Sequence, residues 1–348
     1  MFRTPLPPID DETVVLWEPC SRSHGEIVPG FASLLLDLGY KVAVLLTPAR
    51  LDEGLFSRFT HPRLTLCRLP QWRIRRVMRT PAIEAARAVL ISTAGKLPKT
   101  RDGRPDLGRV FRGVRPRRVL LVDHDAEERL RAGTWDPDLI TLRALPGIPS
   151  RVVNPHDFGP TAARGAPGRP VRFLMVGAAQ PTRRNQGLVY AAFEALKAAG
   201  QDRFELRLVG APGGPPLPAA LTPHVVSLGR VDFRQLYAEA EAADFLLTAF
   251  QPDNPAHDAY RTTKTTGAFQ LSYGFRLPAI VHRAFTIGSI LTEETAVLYD
   301  SDDALASTLA RCLEMDPRDH AARVAALTEA ADGLRARSRA ALEAALAD

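Results

Sequence analysis

Three short stretches of the sequence bring together residue types that can handle an anion or a proton. Gly177–Asn185 reads GAAQPTRRN, between the apolar run Val171–Val176 and a helical pattern. Arg183 and Arg184 there combine cationic side chains with the unpaired backbone N–H groups of a helix start, a ready anion site, with Gly177 and Asn185 bounding it. Tyr260–Gly267 reads YRTTKTTG and opens a helix through Ala268, Phe269 and Leu271. Thr265 or Thr266 can cap that helix, Gly267 lets a phosphate approach the backbone, and Lys264 adds a point charge. Lysine is rare here, 5 of the 45 basic residues, which favours a specific use of Lys264. Ser21–Glu26, SRSHGE, places His24 and Glu26 on either side of Gly25. Either can act as general base toward a hydroxyl, or orient it. Asp123-His124-Asp125 is a competing polar cluster, and it shares its Asp-x-Asp spacing with Asp300-Ser301-Asp302.

The elements that must carry these residues alternate in type. Thr13–Trp17 is a short β-rich run, Pro29 and Gly30 precede a helix, Gly39 ends it, and Lys41–Leu46 is the next strand. Arg118–Val122 is a later buried strand. Further on, Val171–Val176, Glu205–Val209, His224–Leu228, Phe245–Thr248, Ala279–His282 and Ala296–Tyr299 alternate with helical stretches. Such alternation predicts parallel sheets with crossover helices. Between the two series, Asp157–Pro170 is rich in Gly, Pro and Ala and reads as a linker. The expected organisation is therefore a Rossmann-like domain over 1–156, a linker over 157–170, a second Rossmann-like domain over 171–318, and a helix over 319–348 that braces the first domain. In open parallel sheets ligands bind beyond the carboxyl ends of the strands, so two such domains would face a nucleotide across a cleft.

Bulk composition narrows the class. The 348 residues are 45% hydrophobic and 24% charged, the profile of a globular chain. The three cysteines, Cys20, Cys67 and Cys312, are scattered, and no Cys/His spacing suggests zinc or a disulfide framework. No apolar run approaches the roughly 20 residues of a membrane span, and the N-terminus has no secretory pattern. These features predict a cytoplasmic protein without a metal or other cofactor. Net charge is +6, concentrated between Gln71 and Arg118, where 14 Lys/Arg face 3 Asp/Glu. That block suits an anionic membrane surface, while the scarcity of interleaved aromatics argues against nucleic acid.

The ordered segments RFLMVG, TRRNQGLVYAAFEAL, FELRLVG, VVSLGRV, LYAEAEAADFLL, KTTGAFQLSYGFRLPAIVH and TAVLYDSDDALASTLARCL resemble the donor domain of GT-B glycosyltransferases of the group 1/family 4-like kind. VVLWEPCSRSHGEIVPGFASLLLDLGYKVAVL resembles the first strand, glycine loop and helix of their acceptor-side domain, and NPHDFG their domain junction. The sequence departs from that pattern at Ala178, where many retaining members have arginine, and at Thr263 and Leu271, which stand where the Glu-x7-Glu pair is expected. The resemblance implies an α/β fold of two Rossmann-like domains facing across a cleft. It implies transfer of a sugar from a nucleotide-diphosphate sugar to a glycan or lipid-linked acceptor hydroxyl, in bacterial surface polysaccharide or glycolipid assembly at the inner face of the membrane. Arg183, Arg184, Lys264, Thr265, Thr266 and Gly267 would bind the donor diphosphate and His24 or Glu26 would serve the acceptor. Gly25, His124, Gly177, Asn185 and Tyr260 are further candidates for the lining of the site. A nucleotide-sugar epimerase and a catalytically silent nucleotide- or partner-binding module share the fold and are the alternatives.

Overall fold

The computed structural model describes residues 6–20, 25–180 and 182–347, so the candidate base His24 lies outside the described residues. The chain forms two compact units. Unit 1 comprises Met1–Pro160, Thr263–Gly267 and Leu334–Asp348; unit 2 comprises Thr161–Thr262 and Ala268–Gly333.

Unit 1 is built on a five-stranded sheet of β1 (Thr13–Trp17), β2 (Lys41–Leu46), β3 (Leu64–Arg68), β4 (Ala88–Ile91) and β5 (Val119–Leu121), in the order β3-β2-β1-β4-β5. Every pairing is parallel, and the register sets Trp17 beside both Leu45 and Ile91. All five residues of β1 are buried, as a strand covered on both faces requires. The helix Val28–Asp37 has proline in its first turn, and its chain reverses at Gly39, whose φ of +86° suits glycine. On one face Val15, Trp17, Val89 and Ile91 pack against Ile74, Met78 and Val110. A two-stranded parallel pair, β6 (Ile140–Thr141) and β7 (Arg151–Val152), follows.

Two later pieces of chain complete unit 1. The amide of Ala126 donates to the Thr263 carbonyl at 2.9 Å and that of Thr265 to the His124 carbonyl at 3.0 Å. These backbone bonds draw Thr263–Gly267 into unit 1, whereas the sequence reading put the segment in the second domain. The C-terminal helix runs over Pro317–Ala347, two residues earlier than expected, and its residues from Leu334 onward belong to unit 1. There Arg335 pairs with Asp157 at 2.8 Å, and the Asn154 amide donates to Ser338 Oγ at 2.9 Å. Arg87 donates to the Leu346 carbonyl at 2.6 Å and Arg118 to that of Ala345, cations placed at the negative end of a helix.

Unit 2 carries a six-stranded sheet of β8 (Val171–Val176), β9 (Phe204–Val209), β10 (Val225–Gly229), β11 (Phe245–Leu247), β12 (Ala279–His282) and β13 (Val297–Tyr299), in the order β10-β9-β8-β11-β12-β13. All its pairings are parallel. The helix Gln186–Ala198 is capped by Asn185, whose side chain accepts the Leu188 amide at 3.0 Å. Its Phe193 meets Phe173 edge-on at 5.3 Å and Phe204 at 4.7 Å, the aromatic centre of the core. The expected linker 157–170 is divided: the units change at Pro160, and residues 161–170 belong to unit 2 without forming helix or strand. Arg164 holds this stretch by donating to the carbonyls of Phe275 at 2.8 Å, Ala240 at 2.5 Å and Ala243. A long side chain in an otherwise featureless segment thus supplies the anchoring that composition alone does not reveal.

Cys20, Cys67 and Cys312 are buried and form no disulfide with one another, and burial pushes the thiols of Cys67 and Cys312 up to about 11 and about 12. Among the described residues no helix is long and apolar enough to cross a membrane.

Candidate functional site

An open parallel sheet offers a crevice where the strand order reverses, at the carboxyl ends of the two strands that flank the reversal. In unit 2 these strands are β8 and β11. Gly177 follows β8 with φ +128°, and a Cβ there would lie 3.4 Å from the guanidinium of Arg184, so the glycine leaves room for that side chain. Arg184 is 6% exposed, donates through Nε to the Val176 carbonyl at 3.3 Å, and lies 4.4 Å above the ring of Phe250, just past β11. The Asn185 amide donates at 3.0 Å to the carbonyl of Ala249, a non-glycine residue held at φ +52°. Strained backbone of this kind costs about 1–3 kcal/mol and persists where its surroundings dictate it. The ring of Tyr260 lies tilted against that of Phe250 with centroids 4.6 Å apart, and its hydroxyl accepts from Arg183 at 3.4 Å. Burial lowers the pKa of Arg184, and Tyr260 opposes that shift.

Four of the expected site residues, Arg183, Arg184, Asn185 and Tyr260, thus meet around Phe250 in unit 2, with Gly177 beside them. Asn185 also donates to Gln251, which in turn donates to Asp302, so the second aspartate of the Asp-x-Asp at 300–302 is held in a side-chain chain. Asp300 pairs with Arg283 at 2.6 Å. Next to the crevice a cavity of about 230 Å³ is lined by Gln186, Tyr190 and the backbone of Gly210–Gly214. Gly210, at φ +152°, lies so close to Gly177 that a Cβ would meet its carbonyl oxygen at 1.9 Å.

The other candidates lie in unit 1. Lys264 Nζ pairs with Asp125 Oδ2 at 2.7 Å, and the Lys264 carbonyl accepts from Arg143 at 3.1 Å. Thr266 is buried, and Gly267 begins the helix Gly267–Gly274, where a Cβ would lie 3.2 Å from Glu26 Oε1. The carboxylate of Glu26 is therefore a close neighbour of Gly267 within unit 1. Gly25 packs so closely on Arg50 that a Cβ would meet its guanidinium nitrogen at 2.0 Å. His124 is half-buried between Asp123, which forms a buried pair with Arg129, and Asp125. Among the described residues no three His, Cys, Asp or Glu side chains converge as metal ligands.

The sequence reading missed Glu18. It follows β1 at the strand reversal of unit 1, between β1 and β4, and is 3% exposed. Its Oε2 accepts from Ser92 at 2.8 Å and Thr93 at 2.6 Å, its Oε1 from the Cys20 amide at 2.5 Å. Burial pushes the carboxyl up to about 7, against these three donors and with a small addition from the charge of Glu26. The available signal was a glutamate directly after a wholly apolar strand.

No protein-family model matches the sequence, and no curated protein sequence matches it. Solved structures do. AviGT4, a glycosyltransferase involved in avilamycin A biosynthesis, is 18% identical with a TM-score of 0.53 over 97% of this chain and 98% of its own. A glycosyltransferase from Rickettsia africae ESF-5 is 11% identical with a TM-score of 0.53 over 96% and 97%. A mutant of the T4 phage BGT, in complex with UDP-glucose, is 9% identical with a TM-score of 0.55 over 96% and 99%. Likeness along the full length of each partner shows the fold: the chain has the two-unit α/β GT-B fold of these glycosyltransferases.

Proposed function

We propose that this protein transfers a sugar from a nucleotide-diphosphate sugar, held by unit 2, to an acceptor hydroxyl bound by unit 1. The observation that carries the reading is Arg184, a guanidinium fixed at the strand reversal of unit 2 between the Val176 carbonyl and the Phe250 ring. Transfer breaks the bond from the anomeric carbon to the diphosphate and forms one to the acceptor oxygen. Negative charge grows on the leaving diphosphate as this happens. A cation already desolvated and oriented stabilises that charge without reorganising, and Arg183 adds a second positive charge at the edge. The cavity lined by Tyr190 and Gly210–Gly214 gives the nucleobase a place beside the phosphates. Glu26, with His24, takes the proton of the acceptor hydroxyl. Lys264 is left out of the donor site in this reading, since it belongs to unit 1 and neutralises Asp125.

The finer setting is surface polysaccharide or glycolipid assembly in the cytoplasm, with the basic 71–118 block against an anionic membrane. GT-B solved structures with donor or donor analogue support a nucleotide-sugar donor: one is the phage BGT above, and another is an Escherichia coli protein bound with UDP-2-fluoro glucose. A second reading, a silent nucleotide-binding module, is favoured by Leu271, which is buried and apolar where the resembling enzymes place a glutamate.

A thermal-shift screen against UDP, GDP, CDP and ADP, each with magnesium or with EDTA, tests the donor site. A ligand present at a hundred times its Kd adds about 2.7 kcal/mol to the stability of the form that binds it. One nucleotide should raise Tm in EDTA as in magnesium, and lose that effect in Arg184→Ala. No shift with any nucleotide would refute the donor reading. A shift without turnover across donors and acceptors would favour the silent module.

A further inference from the structure

Unit 1 contains a second place suited to an anion, whose lining includes neither Glu18 nor Glu26. A cavity of about 350 Å³ is lined by Trp17, Met78 and Val110 together with Arg75, Arg79 and Arg109. Trp17 is 3% exposed, yet among the described residues its Nε1–H has no hydrogen-bond partner. A buried donor left without a partner forfeits the hydrogen bond it makes to water in the unfolded chain, and such groups are rare enough to require a reason. The three arginines supply one. Arg79 is held in place by donating to the carbonyls of Arg109, at 2.9 Å, and Val110, at 3.4 Å. Arg75 lies in the last turn of the helix Gln71–Val77, and Arg109 in the short helix Leu107–Val110. Among the described residues no carboxylate forms an ion pair with Arg75, Arg79 or Arg109, although other arginines of unit 1, such as Arg68 and Arg129, are paired.

A lining of three arginines and a tryptophan beside Met78, Pro98 and Val110 matches a particular ligand chemistry. A carboxylate offers one charge and two oxygens. A phosphate monoester carries close to two charges near neutral pH and three terminal oxygens, enough for the fork of more than one arginine. The apolar part of that lining, Trp17, Met78 and Val110, suits the carbon-bound part of the same molecule.

We propose that this cavity binds a phosphate group carried by the acceptor. The identification of the ligand as acceptor rests on the glycosyl-transfer reading, whereas the phosphate site itself does not. The phosphate belongs either to a water-soluble sugar phosphate or to a lipid phosphate, and both present the same group to the arginines.

The test uses the full chain and reads binding without a nucleotide. Inorganic phosphate and glucose 6-phosphate are titrated by calorimetry. Vesicles of phosphatidylcholine with phosphatidic acid are compared with vesicles of phosphatidylcholine alone. The variants are Arg75→Gln/Arg109→Gln, Trp17→Phe, and Arg115→Gln/Arg117→Gln, which removes the same charge from the same basic block outside the cavity. Saturable phosphate binding is expected, weakened at least about tenfold by the first pair and severalfold by Trp17→Phe. The control pair should change it less than about twofold. Tighter binding of glucose 6-phosphate than of inorganic phosphate names the soluble source. Binding to phosphatidic acid vesicles that is lost in Arg75→Gln/Arg109→Gln names the lipid source. Absence of saturable binding in every arm, or equal loss in the control pair, overturns the proposal. Nucleotide-induced shifts belong to unit 2, so a failure here with those shifts intact would leave the transfer reading standing. Phosphate binding without nucleotide shifts would do the reverse.

Discussion

The strand reversals of the two units are built alike and charged oppositely. In unit 1 the carboxyl ends of β1 and β4 enclose Glu18, whose carboxyl accepts three hydrogen bonds. In unit 2 the ends of β8 and β11 enclose Arg184, which faces a carbonyl and an aromatic ring. Each is a single ionisable group taken out of water, and burial pushes each toward its neutral form. The consequences differ because the intrinsic values differ. A carboxyl moved to about 7 changes charge in the neutral range, so Glu18 can hold or release a proton. A guanidinium starts so high that burial leaves it a cation. The same fold therefore presents a titrating group in one unit and a permanent charge in the other.

That contrast can be broken by mutation. The largest effect expected is from Arg184→Ala, which should cut turnover by about 10²–10³-fold, the usual loss when a preorganised charge-stabilising donor is removed. Arg184→Lys should recover only part of it, since an ammonium lacks the guanidinium fork. Steady-state kinetics beside a thermal melt would separate lost catalysis from lost fold.

Glu18 should show itself in the pH dependence of stability. Its pKa in the folded chain is about 7 against 4.5 for the ordinary carboxyl. The native state thus holds a proton that the unfolded chain gives up, so stability is full below the ordinary value and falls as pH rises toward 7. The decline amounts to something on the order of 3 kcal/mol. Urea titrations at pH 4.5 and pH 8 should show this decline in the wild type and lose it in Glu18→Gln. An unchanged profile in the variant would mean that Glu18 is not the titrating group.

Smaller changes sharpen the picture. Phe250→Leu removes the ring beneath Arg184 while keeping an apolar contact, and should weaken nucleotide binding by roughly fivefold, about 1 kcal/mol. Lys264→Ala opens a pair whose side chains are 23% and 37% exposed, and should cost less than about 1 kcal/mol in unfolding experiments. Its nucleotide shift should match the wild type. A loss of turnover rivalling that of Arg184→Ala would return Lys264 to the donor site and end the simple contrast.

The strands were largely legible because buried parallel strands are written as continuous apolar runs. Thr13–Trp17, Lys41–Leu46, Val171–Val176 and Ala279–His282 have the bounds expected of them. The crevice of unit 2 was legible for a related reason: Gly177, Arg183, Arg184 and Asn185 lie in one strand-to-helix loop, so proximity in sequence is proximity in space. Tyr260 joins them from 76 residues beyond Arg184, and only its place in a polar stretch drew attention to it. Pairings across distant segments were not legible. Lys264 meets Asp125 across 139 positions, and Glu18 meets Ser92 and Thr93 across 74 and 75. No local pattern states that β1 and β4 end side by side, so Glu18 read as a polar residue closing a strand. The boundary at Pro160 was hidden likewise, because Arg164 is anchored by carbonyls from 76 to 111 positions away.

The assembly of unit 1 from three separate pieces of chain has a consequence for the order in which the protein can be made. Synthesis runs from the N-terminus, and the sheet β1–β5 is made before unit 2, with Arg87 and Arg118 directly before β4 and β5. The carbonyls these arginines require belong to Leu346 and Ala345, 259 and 227 positions further along the chain. Unit 2 has by then been produced in full. Unit 1, whose sheet is made before unit 2, thus lacks these two bonds until unit 2 has been produced in full.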